Sequence, residues 1–459
     1  MFDIRDAINR FINNRKVLIL GYGKEGRSTY RVLRSYFPKL EICISDINTD
    51  ISSEDELQKD SYLSWVLGEG HMKALANYEL IFKSPGISFK TYQVPAMQQI
   101  SSQTDLFLEL FHQQIIGVTG TKGKSTTVSL IQHLLKSADK KVLLVGNIGL
   151  PALEVISDIE DDTVIVYELS SHQLEFTTHS PHIAVFLNLY EEHLDHYTSF
   201  LDYQKAKGNI INFQLEGDYL IYYSDDILIS ERLVESGSEA ILLPFCHSDK
   251  KDCSRVNKEY IVLKNGKKFS FDFSKMALLG NHNILNVLAA INVCMALSMN
   301  IQEAINNLES FKPLPHRLED VGIHHGIRFI NDSIATIPEA SIKAINTFAD
   351  LDILILGGFN RGIDYSVLID FLLDRELSHI ILLGKVGGLI RELLVEENYK
   401  LPLYDAKNMD EVVKIAYNVG KEGSICLLSP AASSYDCFHN FEDRGDQYKK
   451  KVQEKASHL

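Results

Sequence analysis

Nothing in the sequence supplies a CxxC pair: its six cysteines, Cys43, Cys246, Cys253, Cys294, Cys426 and Cys437, are scattered. That spacing indicates neither a zinc cluster nor a disulfide framework, and the expected setting is a reducing cytoplasm. Long apolar runs are missing as well. No stretch reaches the ~18 apolar residues of a membrane span, and the opening MFDIRDAINRFINNRKVLIL mixes charges into what a signal peptide keeps apolar. A soluble, unprocessed chain without a membrane partner is expected. Positive charge is in deficit, with 46 Lys and Arg against 61 Asp and Glu for a net −15. Such a balance repels polyphosphate chains and argues against a nucleic-acid or anionic-membrane partner, so any phosphate has to be held by a local site. Low-complexity sequence is confined to the tail Lys449 to Lys455, and no fixed-period repeat occurs.

What is present is a globular composition. At roughly 150 residues per domain, 459 residues imply about three domains, and 45% hydrophobic residues suffice for a core in each. Short β-branched runs at Val17 to Leu20, Ile42 to Ser45, Ile115 to Thr119, Val142 to Val145, Val164 to Tyr167 and Ile183 to Leu187 are followed by helical patterns. That alternation reads as parallel sheets with crossover helices. A turn at Ser84-Pro85-Gly86 closes the first unit and the strand at Ile115 opens the second, which places a boundary near residue 104. Between 215 and 275 the pattern shortens to segments such as Tyr219 to Tyr223, with an Asn265-Gly266 turn, and predicts an antiparallel appendage. A helix over Ile284 to Leu297 leads to a Pro-marked junction at Phe311 to Pro315. Beyond it, strands at Leu351 to Leu356, His379 to Leu383 and Ser424 to Leu428 form a third α/β unit. The expected architecture is α/β with three domains. Residues 1–104 are Rossmann-like, 105–311 are a central P-loop-type ATPase domain with the small antiparallel appendage, and 312–459 are Rossmann-like again.

Gly21-Tyr22-Gly23-Lys24-Glu25-Gly26 follows a strand and opens a helix, so its glycines let the backbone approach a diphosphate at a helix N-terminus. Asp46 ends the next strand, at the usual spacing for a nucleoside contact. Alone, the motif fits an NAD-dependent dehydrogenase, a nucleotide-sugar site or a tight turn without a ligand. Gly120-Thr121-Lys122-Gly123-Lys124-Ser125-Thr126 is the stronger signal. Its backbone N–H groups would be aimed at ATP phosphates, with Lys124 reaching the β and γ phosphates and Ser125 ligating Mg²⁺; the alternative is a chance Gly-Lys turn. Val118 stands where a full P-loop has its first glycine, so the loop is shortened. Open parallel sheets bind ligands at the carboxyl ends of their strands, where Glu168 and His193 fall, placed to hold metal near the phosphates. Mg²⁺ prefers oxygen ligands, which makes Glu168 a natural partner and His193 a less usual one. The amide-rich run Leu279 to Asn286 caps a helix or hydrogen-bonds a base edge. Arg317 is either a solvated charge or a group that neutralises a transferring phosphoryl.

In order along the chain, further motifs accompany the shortened P-loop: Gly146-Asn147-Ile148-Gly149, Glu168-Leu169-Ser170-Ser171, Glu192-His193-Leu194-Asp195, Gly280-Asn281-His282-Asn283, His316-Arg317, Asn331-Asp332-Ser333 and Leu428-Ser429-Pro430-Ala431. Together they resemble the Mur ligases, ATP-dependent amide-forming enzymes of peptidoglycan precursor synthesis, over Gly21 to Gly445. The resemblance implies a UDP-sugar site, not an NAD site, in the first domain. Gly21, Tyr22, Gly23 and Lys24 would lie near the diphosphate, Asp46 near the uracil, and Ser84, Pro85 and Gly86 along the cleft, with Asn147 and Ser170 also on the substrate side. It further implies that Gly120 to Thr126 bind ATP together with Asn281, Asn283, Arg317 and Asp332. Lys124, His193 and Lys207 are the implied catalytic residues; Ser125 and Glu168 hold one Mg²⁺, and His193 helps to hold a second. Lys207 matches the lysine that the family carbamylates with CO₂, which turns a cationic amine into the anionic oxygen ligand that Mg²⁺ needs. Thr336, Arg361, Ser434 and Phe441 are implied around the incoming amino acid, with Arg361 suited to a two-pronged hydrogen bond with its carboxylate.

The implied reaction joins glutamate, as the D isomer, to UDP-N-acetylmuramoyl-L-alanine. ATP converts the substrate carboxylate to an acyl phosphate, the amine displaces phosphate through a tetrahedral intermediate, and ADP and phosphate are released; catalysis is mostly positioning and charge neutralisation. A monomer is expected. One departure from the family pattern stands out: the common Asp-Ser-Lys-Ala-Thr is here Asp332-Ser333-Ile334-Ala335-Thr336. A hydrocarbon at Ile334 cannot pair with a carboxylate or phosphate, so the alternative is a Mur-type ligase adding L-glutamate or another amino acid. A dehydrogenase leaves the P-loop unexplained, and a non-catalytic nucleotide-sugar sensor leaves Lys124, Glu168, His193 and Lys207 without a use.

Overall fold

The computed structural model describes residues 3–94, 98–146, 150–257, 259–278, 280, 282–375, 377–435 and 438–457. Among these, the strands lie in four sheets. The first is parallel throughout, in the order Leu63–Leu67, Ile42–Asp46, Val17–Leu20, Leu80–Lys83, Gln99–Ser101. Its middle strand, Val17–Leu20, is buried at every position, which is why it reads as an unbroken apolar run without alternation. The second sheet is also parallel, in the order Ile241–Phe245, Tyr219–Tyr223, Ile183–Phe186, Ile115–Thr119, Val164–Glu168, Val142–Gly146.

Tyr219–Tyr223 therefore does not belong to an antiparallel appendage. It pairs in parallel with Ile183–Phe186 on one side and Ile241–Phe245 on the other. Its centre, Leu220 and Ile221, is fully buried, while the half-exposed tyrosines at its ends imitate a surface strand. A short apolar run bounded by turns carries no signal for strand direction. The antiparallel sheet is smaller, made of Arg255–Asn257, Tyr260–Val262 and Lys268–Ser270, and its last turn holds Gly266 at φ +80°. Just before this sheet, the side chains of Cys246 and Cys253 meet. Backbone bonds from Cys246 N to Ser254 O (3.0 Å) and from Ser254 N to Pro244 O (2.9 Å) fold the segment back on itself. The resulting Cα–Cα separation of 6.2 Å is one that a spacing rule does not anticipate.

The fourth sheet runs Glu319–His324, Ile327–Asn331, Ile425–Leu428, Leu351–Gly357, His379–Leu383, Leu403–Ala406. Only its first pair is antiparallel, a hairpin closed by His325 and Gly326, both at positive φ as a tight hairpin turn requires. Along Leu351–Gly357, Ile353 and Ile355 enter one apolar cluster and Leu354 and Leu356 the other, so alternate side chains supply both faces.

The chain divides into two compact units, 1–273 with 282–311 and 274–281 with 312–459. Within the first, the helix Ile4–Ile12 and both parallel sheets contribute to one apolar cluster that includes Ile8, Phe11, Phe82, Phe107, Tyr167 and Phe186. Each such side chain contributes about 1.5–3 kcal/mol on full burial. No helix among the described residues is long and apolar enough to cross a membrane.

Candidate active site

At the carboxyl end of Ile115–Thr119 the chain turns through Gly120 and Gly123, at φ +153° and +89°, into the helix Lys124–Ser137. A side chain at Gly120 would meet Leu187 Cβ at 2.9 Å, so the first position tolerates only glycine. Asn188 holds the loop's shape. Its Oδ1 accepts from Lys122 N (2.8 Å), its Nδ2 donates to Lys122 O (2.9 Å), and its carbonyl accepts from Thr121 N (3.0 Å). The Thr121 hydroxyl meets Tyr203 Oη at 2.9 Å and accepts from Tyr190 N at 2.9 Å. Lys122 pairs with Glu192 at 2.5 Å. Ser125 is buried and Thr126 half-buried on the first turn of the helix.

Two lysine ammonium groups converge on one carbonyl. Lys124 Nζ donates to Gly120 O at 2.8 Å and to Thr121 O at 3.1 Å, and Lys207 Nζ donates to the same Gly120 O at 2.9 Å. Lys207, on the helix Phe200–Asn212, is 1% exposed, and its Nζ lies 5.2 Å from the centre of the Tyr203 ring. Burial, and then the positive charge of Lys124, hold its pKa well below the ordinary lysine range. Glu168, at the end of Val164–Glu168, is equally buried and is one of the charges acting on Lys207. His193 stands at φ +59°, with Nε2 3.8 Å from Glu192 and its ring 4.8 Å from that of His172. Burial lowers the pKa of His193 and pushes that of His172 down to about 3.

On the other side of the loop, the helix His282–Ala296 brings up a short amide chain. Asn286 Nδ2 donates to Asn283 Oδ1 at 2.8 Å, and Asn286 Oδ1 accepts from the Thr127 hydroxyl at 3.2 Å. Asn286 Oδ1 would lie 2.6 Å from a side chain at Gly123. Sequence reasoning singled out Asn281 and Asn283 as nucleotide contacts, included Asn286 only in the amide-rich run and gave Asn188 no role; Asn281 and Asn147 lie outside the described residues.

The first glycine motif is also assembled. Asp46 accepts from Tyr22 N at 2.6 Å, Gly21 N donates to Ser45 O at 2.8 Å, and the Ser84 hydroxyl donates to Gly21 O at 2.7 Å. A side chain at Gly26 would collide with Gly21 O at 2.1 Å, so the third glycine permits the helix Lys24–Tyr36 to pack against the turn. Gly23, Lys24 and Gly86 are exposed and Pro85 is half-buried beside Ser84, whereas the Tyr22 ring is buried under the Arg27 guanidinium. Ser170 closes a capping box with Gln173, whose amide reaches Glu25 Oε1 at 2.8 Å.

In the second unit, Asp332 is buried, accepting from the Ser429 hydroxyl at 2.8 Å and from Leu318 N at 3.2 Å. Burial pushes its pKa up to about 7, against those two hydrogen bonds and the charge of Arg317. Arg361 is exposed, its guanidinium 5.2 Å from the centre of the Tyr435 ring, and Ser434 beside it in sequence is buried. Thr336 is half-buried three residues beyond Ser333, whose hydroxyl donates to Phe441 O at 2.8 Å. Arg444 ties these segments together and was not anticipated. Fully buried, it donates to Ser333 Oγ (2.9 Å), Ser333 O (2.8 Å) and Ala432 O (2.9 Å). It lies on the buried stripe Arg444, Gly445, Tyr448 and Val452 of Phe441–Ala456, whose Arg and Gly interrupt the apolar pattern that would have marked it in sequence.

Residues 15–104 match the family model "Mur ligase MurD-like, N-terminal domain", and residues 118–294 match "Mur ligase middle domain". A protein of Acetivibrio thermocellus named UDP-N-acetylmuramoylalanine--D-glutamate ligase is 31% identical, with 96% of this chain and 97% of that protein covered. The chain belongs to the Mur ligase family. A Mur ligase of the same name from Streptococcus agalactiae is 33% identical over 95% of this chain and 96% of its own length. Among solved Mur ligases, the Thermotoga maritima UDP-N-acetylmuramate-alanine ligase MurC has a TM-score of 0.59 at 19% identity, over 96% of this chain and 100% of that one. The MurF ligase of the same organism, in complex with ADP, has a TM-score of 0.59 at 16% identity, over 100% and 97%. Those two share the fold. Mur ligases are ATP-dependent amide-forming enzymes, and the crowding of cations at the phosphate loop of this member fits that chemistry.

Proposed function

We propose that this Mur ligase joins D-glutamate to UDP-N-acetylmuramoyl-L-alanine, in the cytoplasm and as a monomer. The substrate assignment is supported by the names of the relatives that match along nearly the whole chain. In this reading residues 1–104 bind the UDP-sugar, 105–311 bind ATP, and 312–459 carry the amino-acid site.

The observation that carries the reading is the buried Lys207 sharing the Gly120 carbonyl with Lys124. A buried amine next to another cation loses its proton readily. Neutral, Lys207 Nζ attacks CO₂; a C–N bond forms, the proton leaves, and an anionic carbamate replaces a positive charge. The donor set then suits Mg²⁺: the Glu168 carboxylate, the Ser125 hydroxyl and the carbamate are all oxygen ligands, and His193, with its lowered pKa, offers a neutral nitrogen for a second ion. Bound there, Mg²⁺ supplies neutralisation of charge developing on the phosphoryl and acyl oxygens. Lys124 supports the γ-phosphate while the loop's N–H groups orient the chain of phosphates. The substrate carboxylate then takes the phosphoryl group, ADP leaves, and the glutamate amine displaces phosphate. Arg361 pairs with the incoming side-chain carboxylate, Thr336, Ser434 and Phe441 shape that pocket, and Asn281, Asn283, Arg317 and Asp332 contact the nucleotide. Gly21 to Lys24, Asp46, Ser84 to Gly86, Asn147 and Ser170 serve the UDP-substrate.

The test is ADP formation by the purified chain. ADP should form only when all three substrates are present, and Lys124→Ala should abolish it; equal rates in the two proteins would end the assignment.

A further inference from the structure

The amino ends of three adjacent parallel strands, Ile115–Thr119, Ile183–Phe186 and Tyr219–Tyr223, lie at the edge of the central sheet opposite the phosphate loop. Each strand is preceded there by a metal-ligating side chain: His112, His182 and Asp218. Asp218 Oδ1 lies 3.0 Å from His112 Nε2 and 2.7 Å from His182 Nδ1, and the three ligand atoms fall within 4.8 Å of one another. The frame around them is fixed. His182 N donates to His112 O at 3.1 Å, and Tyr219 N donates to His182 O at 2.8 Å.

The hydrogen bonds that surround the group decide what it offers. His112 Nδ1 is 2.8 Å from Ser180 O and its Nε2 faces Asp218 Oδ1, and the ionised carboxylate, which can only accept, takes an N–H from each imidazole. Asp218 Oδ2 is occupied by Leu215 N at 2.6 Å, which leaves Oδ1 for the histidines. These hydrogen bonds hold two ring nitrogens and a carboxylate oxygen together, and a divalent cation that displaced their protons would meet three ligand atoms already within 4.8 Å of one another. An imidazole N–H on a backbone carbonyl and a backbone N–H on the carboxylate are the outer contacts that orient ligands in protein metal sites.

We propose that His112, His182 and Asp218 form a binding site for a divalent transition metal of the Zn²⁺ class. Two imidazoles and one carboxylate match the three-ligand zinc pattern, with bonds of about 2.0–2.2 Å and a fourth position for water. The histidine side chains are 18% and 23% exposed while that of Asp218 is 2% exposed, so solvent reaches the open position and the carboxylate stays fixed. Nitrogen donors favour Zn²⁺, Co²⁺ or Ni²⁺ over Mg²⁺, which separates this site from the phosphate-loop centre by chemistry as well as by its place on the sheet.

Titrating the full chain with Co²⁺ in excess Mg²⁺ tests the site, because four-coordinate Co²⁺ absorbs visible light far more strongly than the hydrated ion. Wild type and His193→Ala should each develop one saturable band that Zn²⁺ abolishes. His182→Gln and His112→Gln should bind Co²⁺ at least about tenfold more weakly, and Zn²⁺ should raise the melting temperature of wild type. Absence of the band in wild type, its loss in His193→Ala, or its persistence in either glutamine variant that melts cooperatively would overturn the proposal.

Discussion

Lys207 is a cation sealed from water beside another cation, and its sequence neighbourhood, Tyr203-Gln204-Lys205-Ala206-Lys207, resembles any surface helix. Apart from the family resemblance, the fold is what distinguishes it from Lys205, which is exposed on the same helix. Lys207→Ala is expected to lower kcat at least about a hundredfold, a loss of the order seen when one transition-state contact is removed. A small added carboxylate should restore part of the rate, and a fully active variant would reject the role. Asp332 makes a different statement, about stability. With its pKa raised to about 7 in the folded chain, the native state keeps a proton that the unfolded carboxyl, near about 3.9, has already lost. Stability should therefore be greatest on the acid side and fall as pH rises from about 4 to about 7. Urea midpoints of wild type and Asp332→Asn across that range should show a decline in the first that is flatter in the second. Neither the burial of Asp332 nor the hub made by Arg444 was legible in sequence, because both depend on partners about a hundred residues away.

The motif loops were legible as elements and partly opaque in their supports. The glycine spacing of 21 to 26 foretold a strand–turn–helix, and the 2.1 Å approach of a Gly26 side chain to Gly21 O is its physical content. Gly26→Ala should cost about 1–3 kcal/mol of stability by overpacking and weaken UDP binding; unchanged urea midpoint and UDP affinity would contradict this packing account. Asn188 shows the opposite case. It bonds Lys122 on both its donor and acceptor sides, yet nothing in Asn188-Leu189-Tyr190 marks it in the sequence. Asn188→Ala removes both bonds, each worth about 1 kcal/mol, and should raise the KM for ATP roughly tenfold or more with a smaller effect on kcat. Strand positions came through well wherever apolar runs were bounded by turns. Direction did not, as Tyr219–Tyr223 illustrates, because pairing is decided by neighbours distant in the chain.

For the whole molecule, the α/β class could be read from motifs, since each glycine loop announces its own strand and helix. The common apolar cluster beneath the first two parallel sheets could not, because shared cores leave no local pattern. Nor could the hairpin Glu319–His324 with Ile327–Asn331, whose strands are short and mostly polar on the outer one. At this scale the amino acid is the open choice, since Ile334 removes a cation from a position the family commonly fills with lysine. Phosphate release by the full chain with ATP, Mg²⁺, UDP-N-acetylmuramoyl-L-alanine and a panel of D and L amino acids addresses it directly. D-Glutamate should release phosphate in step with amide formation and well above every other member of the panel. Release that prefers L-glutamate, or none above the Lys124→Ala background, would contradict the proposed reaction.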